Sequence, residues 1–98
     1  MVEVSLIAHL EAREGKTDQL AARLSDLARH VRKEAGNRLF QVYRRCDEPN
    51  RFDVVETYAD ETAFASHLAE PHSVAFNAWL KDVAVSGKSE LTFVEAIS

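Results

Sequence analysis

Three side chains in this sequence have the chemistry to move a proton at neutral pH: His67, His72 and Glu56. An imidazole titrates near neutrality and can act as a general base or as a donor. His67 stands one residue before Leu68 and three after Phe64, on the border of an apolar helical face. His72 follows Pro71 at a helix start, where the positive end of the dipole favours the neutral, proton-accepting ring. Glu56 falls between Val54 and Tyr58 on one face of a strand, where a carboxylate is costly unless paired. It therefore either bonds a partner or works in a pocket. Phe40, Tyr58, Phe76 and Trp79 could wall a cavity for an aromatic ligand, with Tyr43 and Asn77 as hydrogen-bond donors. Plainer readings stand beside these: a boundary histidine bonded to water, a half-exposed helix-start histidine, and aromatic rows that are only core.

Other chemistries find less to work with. His67 and His72 are separated by a proline and are not the i, i+4 pair that presents two metal ligands on one helix face. His9 and His30 have no ligand-type partners nearby in sequence. No metal is expected, and no cofactor, since there is no Gly-rich phosphate loop, dinucleotide fingerprint or nucleophile elbow. Twelve basic against sixteen acidic side chains give a net charge of −4, which disfavours nucleic acid and anionic membranes as partners. No apolar run approaches the ~20 residues of a membrane span. Val2 to Ile7 lacks the basic and long apolar regions of a secretion signal. The single cysteine, Cys46, rules out an internal disulfide and suits a reducing compartment. A cytoplasmic protein is expected, with a small-molecule substrate and a second copy of itself as partners.

Positioning these residues requires a definite set of elements. The 98 residues hold one domain, 1–98. From Val2 to Glu11, Val2, Val4, Leu6, Ala8 and Leu10 alternate with Glu3, Ser5, Ile7, His9 and Glu11, the period of a strand with one buried face. Thr17 is placed to cap a helix whose apolar stripe is Leu20, Leu24, Leu27 and Val31, and Gly36 to end it in the left-handed conformation. Arg38 to Arg45 and Phe52 to Tyr58 read as a hairpin turned at Asp47-Glu48-Pro49-Asn50. Asp60 caps a second helix with Phe64 and Leu68 on one face. Pro71 restarts a third, in which Ala75, Trp79 and Val83 form one row and Phe76 and Leu80 the next. Ser86-Gly87-Lys88 is a loop, and Leu91 to Ile97 the last strand. The order β-α-β-β-α-β predicts an α+β, ferredoxin-like fold: a four-stranded antiparallel sheet with helices on one face. Phe40 and Val42 oppose Leu39 and Tyr43, and Val54 opposes Val55, so both sheet faces carry apolar residues. That predicts a homodimer in which two sheets face each other.

Several segments carry a resemblance. They are Glu34-Ala35-Gly36-Asn37, Phe40-Gln41-Val42-Tyr43-Arg44 and Asp47-Glu48-Pro49-Asn50-Arg51-Phe52, then Val54-Val55-Glu56-Thr57-Tyr58, and His67-Leu68-Ala69-Glu70-Pro71-His72 with Phe76. Together they resemble the antibiotic-biosynthesis monooxygenase family across residues 2 to 96. The resemblance implies a dimeric α+β barrel with a pocket histidine in the 67–72 stretch. The implied activities range over cofactor-independent oxygenation of quinols or polyketides, haem degradation and processing of small signalling molecules. One departure is Arg38-Leu39, which stands where the family often has an apolar residue followed by arginine. The haem-degrading branch uses an asparagine, a tryptophan and a histidine ligand, and the matching positions here hold Ala8, His67 and Asn77. Haem is therefore not implied. The leading expectation is a cofactor-independent monooxygenase that oxidises a small aromatic or quinol-like substrate with O2. His67 or His72 would be the base, Glu56 would orient a pocket group, and the aromatic residues would line the pocket. On the same fold the alternatives are an isomerase or degradative enzyme for a small metabolite or signalling molecule, and a non-enzymatic small-ligand-binding stress-response module. A charge-rich pocket would favour the first, and scattered, exposed histidines the second.

Overall fold

Alternation along the strands decides which way the sheet packs. In β1 (Val4–Glu11), Leu6, Ala8 and Leu10 are buried while their neighbours are only partly so. In β3 (Arg51–Tyr58), Phe52, Val54, Glu56 and Tyr58 are buried and the intervening residues are half-exposed. Between them in sequence lie α1 (Thr17–Val31) and β2 (Asn37–Arg44), and after β3 come α2 (Glu61–Ala69), α3 (Pro71–Val83) and β4 (Glu90–Val94). The computed structural model describes residues 2–98. Its strands pair antiparallel throughout in the order β2-β3-β1-β4, the ferredoxin-like α+β arrangement expected from the element order.

The helices cover the face that carries Leu6, Ala8, Leu10, Phe40, Phe52 and Val54. Helix α1 contributes Leu20, Leu24, Leu27, Ala28 and Val31, the apolar stripe read from its spacing. Each of the large side chains among them contributes roughly 1.5–3 kcal/mol through burial. Asp60 accepts a hydrogen bond from the Ala63 backbone N–H at 2.8 Å and so caps α2. Pro71 occupies the first turn of α3, where its missing N–H costs nothing.

Three local expectations are corrected. Thr17 is the first residue of α1 and caps nothing; Lys16 holds the cap position without a side-chain bond, after Gly15 turns the chain at φ +79°. Gly36 is not left-handed: among the described residues only Gly15 and Gly87 have positive φ. Gly36 is required for close approach, because a Cβ there would run into the Cβ of Ala63 on α2. The last strand is shorter than its apolar composition suggested, ending at Val94 rather than Ile97. Val94 registers with Ser5, and β1 runs only one residue beyond that point, to Val4.

The opposite sheet face is open to solvent. By register Ser5, Ile7 and His9 of β1 stand beside Thr57, Val55 and Asp53 of β3, and beside Val94, Thr92 and Glu90 of β4. Leu39, Tyr43 and Val94 are exposed there, while Ile7 and Val55 are half-buried. The face is mixed, not uniformly apolar, because Asp53 and Thr57 of β3 and polar groups of β1 and β4 are interleaved with its apolar residues. Ser5 and Thr57 hydroxyls bond at 3.0 Å, and the His9 ring bridges Asp53 at 2.7 Å and Thr92 at 3.0 Å. The Arg45 guanidinium bonded to Asp53 holds that carboxyl below its ordinary range.

Candidate active site

A cavity of about 250 Å³ lies between the buried face of the sheet and the helices. Most of its wall is apolar, from Leu6, Ala8 and Val54 on the sheet to Leu24, Leu27 and Phe76 on the helices. Glu56, His67, Ser73 and Asn77 supply polar groups, and Lys88 and Ser89 enter from the segment that leads into β4. At this volume the cavity is slightly smaller than the ~300–1,000 Å³ usual for drug-sized ligands.

The polar wall is built around a residue that sequence inspection passed over. Glu34 follows the end of α1, and its carboxylate accepts hydrogen bonds from two imidazoles. His67 Nδ1 lies 3.0 Å from Oε1 and 3.1 Å from Oε2, and His72 Nε2 lies 2.6 Å from Oε2. The break between α2 and α3 makes this possible. His67 closes one helix and His72 opens the next, so both rings turn back onto the same acid although no single helix face could present them. Helix α2 is held in place for this by Gly36. Ala63 packs against Gly36, and His67 lies one turn further along the same helix face, over Glu34. The absence of a Cβ two residues from Glu34 is thus what brings His67 within reach of it.

On its other side the His67 ring approaches Glu56, with Nε2 at 3.9 Å from Oε1. That is too long for a hydrogen bond, but an oxygen atom about 2.8 Å from each could reach both. Glu56 is deeply buried and accepts a 2.6 Å hydrogen bond from the Tyr58 hydroxyl. Burial pushes the Glu56 carboxyl up to about 7, the Tyr58 bond opposes that shift, and the nearby Glu34 charge adds to it. Burial likewise pushes the Tyr58 phenol upward, so it stays a donor. Ser73 Oγ stands 3.4 Å from His67 Nδ1. Because Glu34 takes the proton on Nδ1, the neutral His67 ring presents a lone pair on Nε2 toward Glu56.

Of the residues expected at the site, His67, His72 and Glu56 are therefore brought into one connected cluster, and Phe40, Phe76 and Asn77 line the cavity. Tyr58 lies behind the wall, fully buried, where it acts through Glu56. Two residues depart. Tyr43 is out of phase with Phe40 and Val42 and projects from the open sheet face. Trp79 misses the buried row of α3, which runs through Ser73, Phe76, Leu80 and Val83. It packs beside the core instead, with the Arg23 guanidinium 4.5 Å from its ring centre. His67 itself is buried, at 8% exposure, rather than on a boundary. Glu34 and Ser73 were missed. The available signal for Glu34 was an acid just beyond a helix C-terminus, where the dipole disfavours a negative charge. For Ser73 it was a small polar residue in phase with Phe76 and Leu80.

Residues 3–79 match the family model described as antibiotic biosynthesis monooxygenase. Among curated proteins the chain is similar to YcnE of Bacillus subtilis, provisionally named a monooxygenase. The two are 26% identical over 80 residues, covering 82% of this chain and 84% of YcnE. Among solved structures it is similar to PA3566 from Pseudomonas aeruginosa, with a TM-score of 0.91 at 19% identity, covering 100% of this chain and 97% of that one. It is also similar to Rv0793 from Mycobacterium tuberculosis, with a TM-score of 0.90 at 22% identity over 99% and 97% of the two chains. At these identities the structural likeness concerns the fold.

The Tyr58–Glu56 bond yields a prediction. Tyr58→Phe removes the one hydroxyl bonded to a buried carboxyl and leaves the ring in place. It should lower stability by roughly 1–3 kcal/mol in denaturant titration; an unchanged midpoint would mean that Glu56 does not depend on that donor.

Proposed function

The chain belongs to the antibiotic biosynthesis monooxygenase family, and we propose that it oxygenates a small phenolic or quinol-like compound with O2 and no cofactor. One observation carries this reading: His67, oriented by Glu34, faces Glu56 across 3.9 Å at the wall of a small, largely apolar cavity. Such a cavity admits O2 and an aromatic ring and holds little water, and its polar groups are those that proton transfer requires.

The substrate supplies the electrons. A phenol with a free ring C–H loses two protons and four electrons; O2 takes the four electrons, one oxygen atom becomes the new carbonyl, and the other leaves as water with the two protons. His67 Nε2 accepts the phenolic proton, which makes the ring electron-rich enough to react with O2. Glu34 steadies the imidazolium so formed, as the acid of a catalytic triad steadies its histidine. Glu56, held by Tyr58, passes one proton to the departing oxygen and recovers one from the ring carbon, and the His67 imidazolium gives that oxygen the phenolic proton, so that it leaves as water and both groups are restored. Phe40 and Phe76 bound the aromatic slot and Asn77 offers a hydrogen bond to an oxygen substituent. His72 is a second support for Glu34 rather than the base, since its Nε2 is engaged there at 2.6 Å.

We also infer that the chain pairs with a second copy through its open sheet face. Leu39, Tyr43 and Val94 are exposed there around half-buried Ile7 and Val55, and an isologous contact would cover all of them at once.

Two measurements test these readings. Oxygen uptake by chelator-treated protein across a panel of quinols and polyphenols should exceed spontaneous oxidation, and His67→Ala should reduce it about 10²-fold or more. No protein-dependent uptake, or an unaffected variant, would remove the oxygenase reading or His67 from it. Sedimentation at micromolar concentration should give a dimer; a monomer would overturn the pairing.

A further inference from the structure

We infer that Glu34, His67 and His72 form a binding site for one divalent transition-metal ion of the zinc, cobalt or iron(II) class. One ligand atom from each residue lies within 4.8 Å of the other two. Glu34 to His67 is 3.0 Å and Glu34 to His72 is 2.6 Å. Around a four-coordinate ion with bonds of about 2.0–2.1 Å, ligand atoms stand ~3.3 Å apart. The two contacts to Glu34 are thus shorter than an ion needs, while the imidazole nitrogens stand up to 4.8 Å apart, so loading draws each ring slightly off Glu34 and swings the two rings toward one another by up to about 1.5 Å.

Charge points the same way. Glu34 and Glu56 are two buried or nearly buried carboxylates, and their ion-pair partners among the described residues are imidazoles alone, with no lysine or arginine. A carboxylate as enclosed as Glu34 needs a cation beside it, which is either a proton on an imidazole or a metal. Two imidazole nitrogens and one carboxylate select a borderline transition metal over magnesium or calcium, which take oxygen ligands. Three protein ligands leave a coordination position over, and His72, only half-buried, gives solvent a way in. The surrounding shell is also suited to the task. On binding, His67 carries its proton on Nε2, the side on which the Glu56 carboxyl stands 3.9 Å away, and a shift of about 1 Å would complete the carboxylate–histidine–metal order found around many such ions.

The site does not depend on the oxygenase reading, yet it bears on it through one atom. With an ion on Nδ1 the His67 ring carries its proton on Nε2 and cannot accept another. A loaded chain therefore lacks the base, and the metal acts as an inhibitor of that chemistry.

The test uses the full chain, stripped with chelator and titrated with Co2+, and needs no substrate. Visible d–d absorption of four-coordinate Co2+ should saturate at one ion per chain, and Zn2+ should displace it. His72→Ala, which removes a half-exposed ligand, and Glu34→Gln, which keeps the shape of the acid, should each weaken binding more than about tenfold while circular dichroism stays native. Absence of saturable absorption in the native chain, or equal binding by His72→Ala, would overturn the site. A Glu34→Gln chain that fails to fold leaves the decision with His72→Ala.

Discussion

A carboxylate placed under two imidazoles governs how this site is built. Glu34 is too enclosed to be left to water, and the fold supplies its partners from two different helices. Everything near it answers to that requirement. The chain breaks at Glu70–Pro71 so that His67 and His72 can converge, and Gly36 gives up its side chain so that α2 can sit close enough. Once His67 is fixed through Nδ1, its second nitrogen is directed toward Glu56, which is itself fixed by Tyr58. Two hydrogen-bonded groups, His72–Glu34–His67 and Tyr58–Glu56, thus face each other across 3.9 Å.

The environment of Glu56 explains why such a path is tolerated within an apolar layer. Its position on β3 follows from strict alternation with Val54 and Tyr58, so the fold cannot turn it to solvent without turning the core residues as well. Burial then favours its protonated form, while the Tyr58 hydroxyl supplies the one strong bond it receives. A strand position that would be a fault in a purely structural sheet sets a carboxyl beside a cavity of about 250 Å³. Family and fold do not by themselves choose a substrate, because function resides in the site.

Periodicity made the fold legible in the sequence. Alternation in β1 and β3, the four-three-four stripe of α1 and the proline before α3 each have a single physical reading. His67, His72 and Glu56 were legible as candidates because their residue types are expensive or reactive where they stand. Their association with Glu34 was not, since it joins residues more than thirty positions apart and depends on a close helix approach at Gly36. Local reading also assigned Gly36 to the left-handed region, because helix-terminal glycines commonly are so used. Here tertiary contact, not backbone conformation, requires it. Trp79 was misjudged for a related reason: two neighbouring rows of α3 are apolar, and only packing against α1 shows which one faces the sheet.

By accepting from Nδ1, Glu34 fixes the proton of a neutral His67 ring there and leaves Nε2 bare toward Glu56. Nitrogen NMR of the imidazoles in metal-free protein reads this directly. A protonated Nδ1 with a slowly exchanging, hydrogen-bonded proton is expected in the neutral His67 ring, together with a bare Nε2, and Glu34→Ala, which removes the acceptor, should abolish that preference. A neutral ring protonated on Nε2, or a tautomer ratio indifferent to Glu34→Ala, would contradict it.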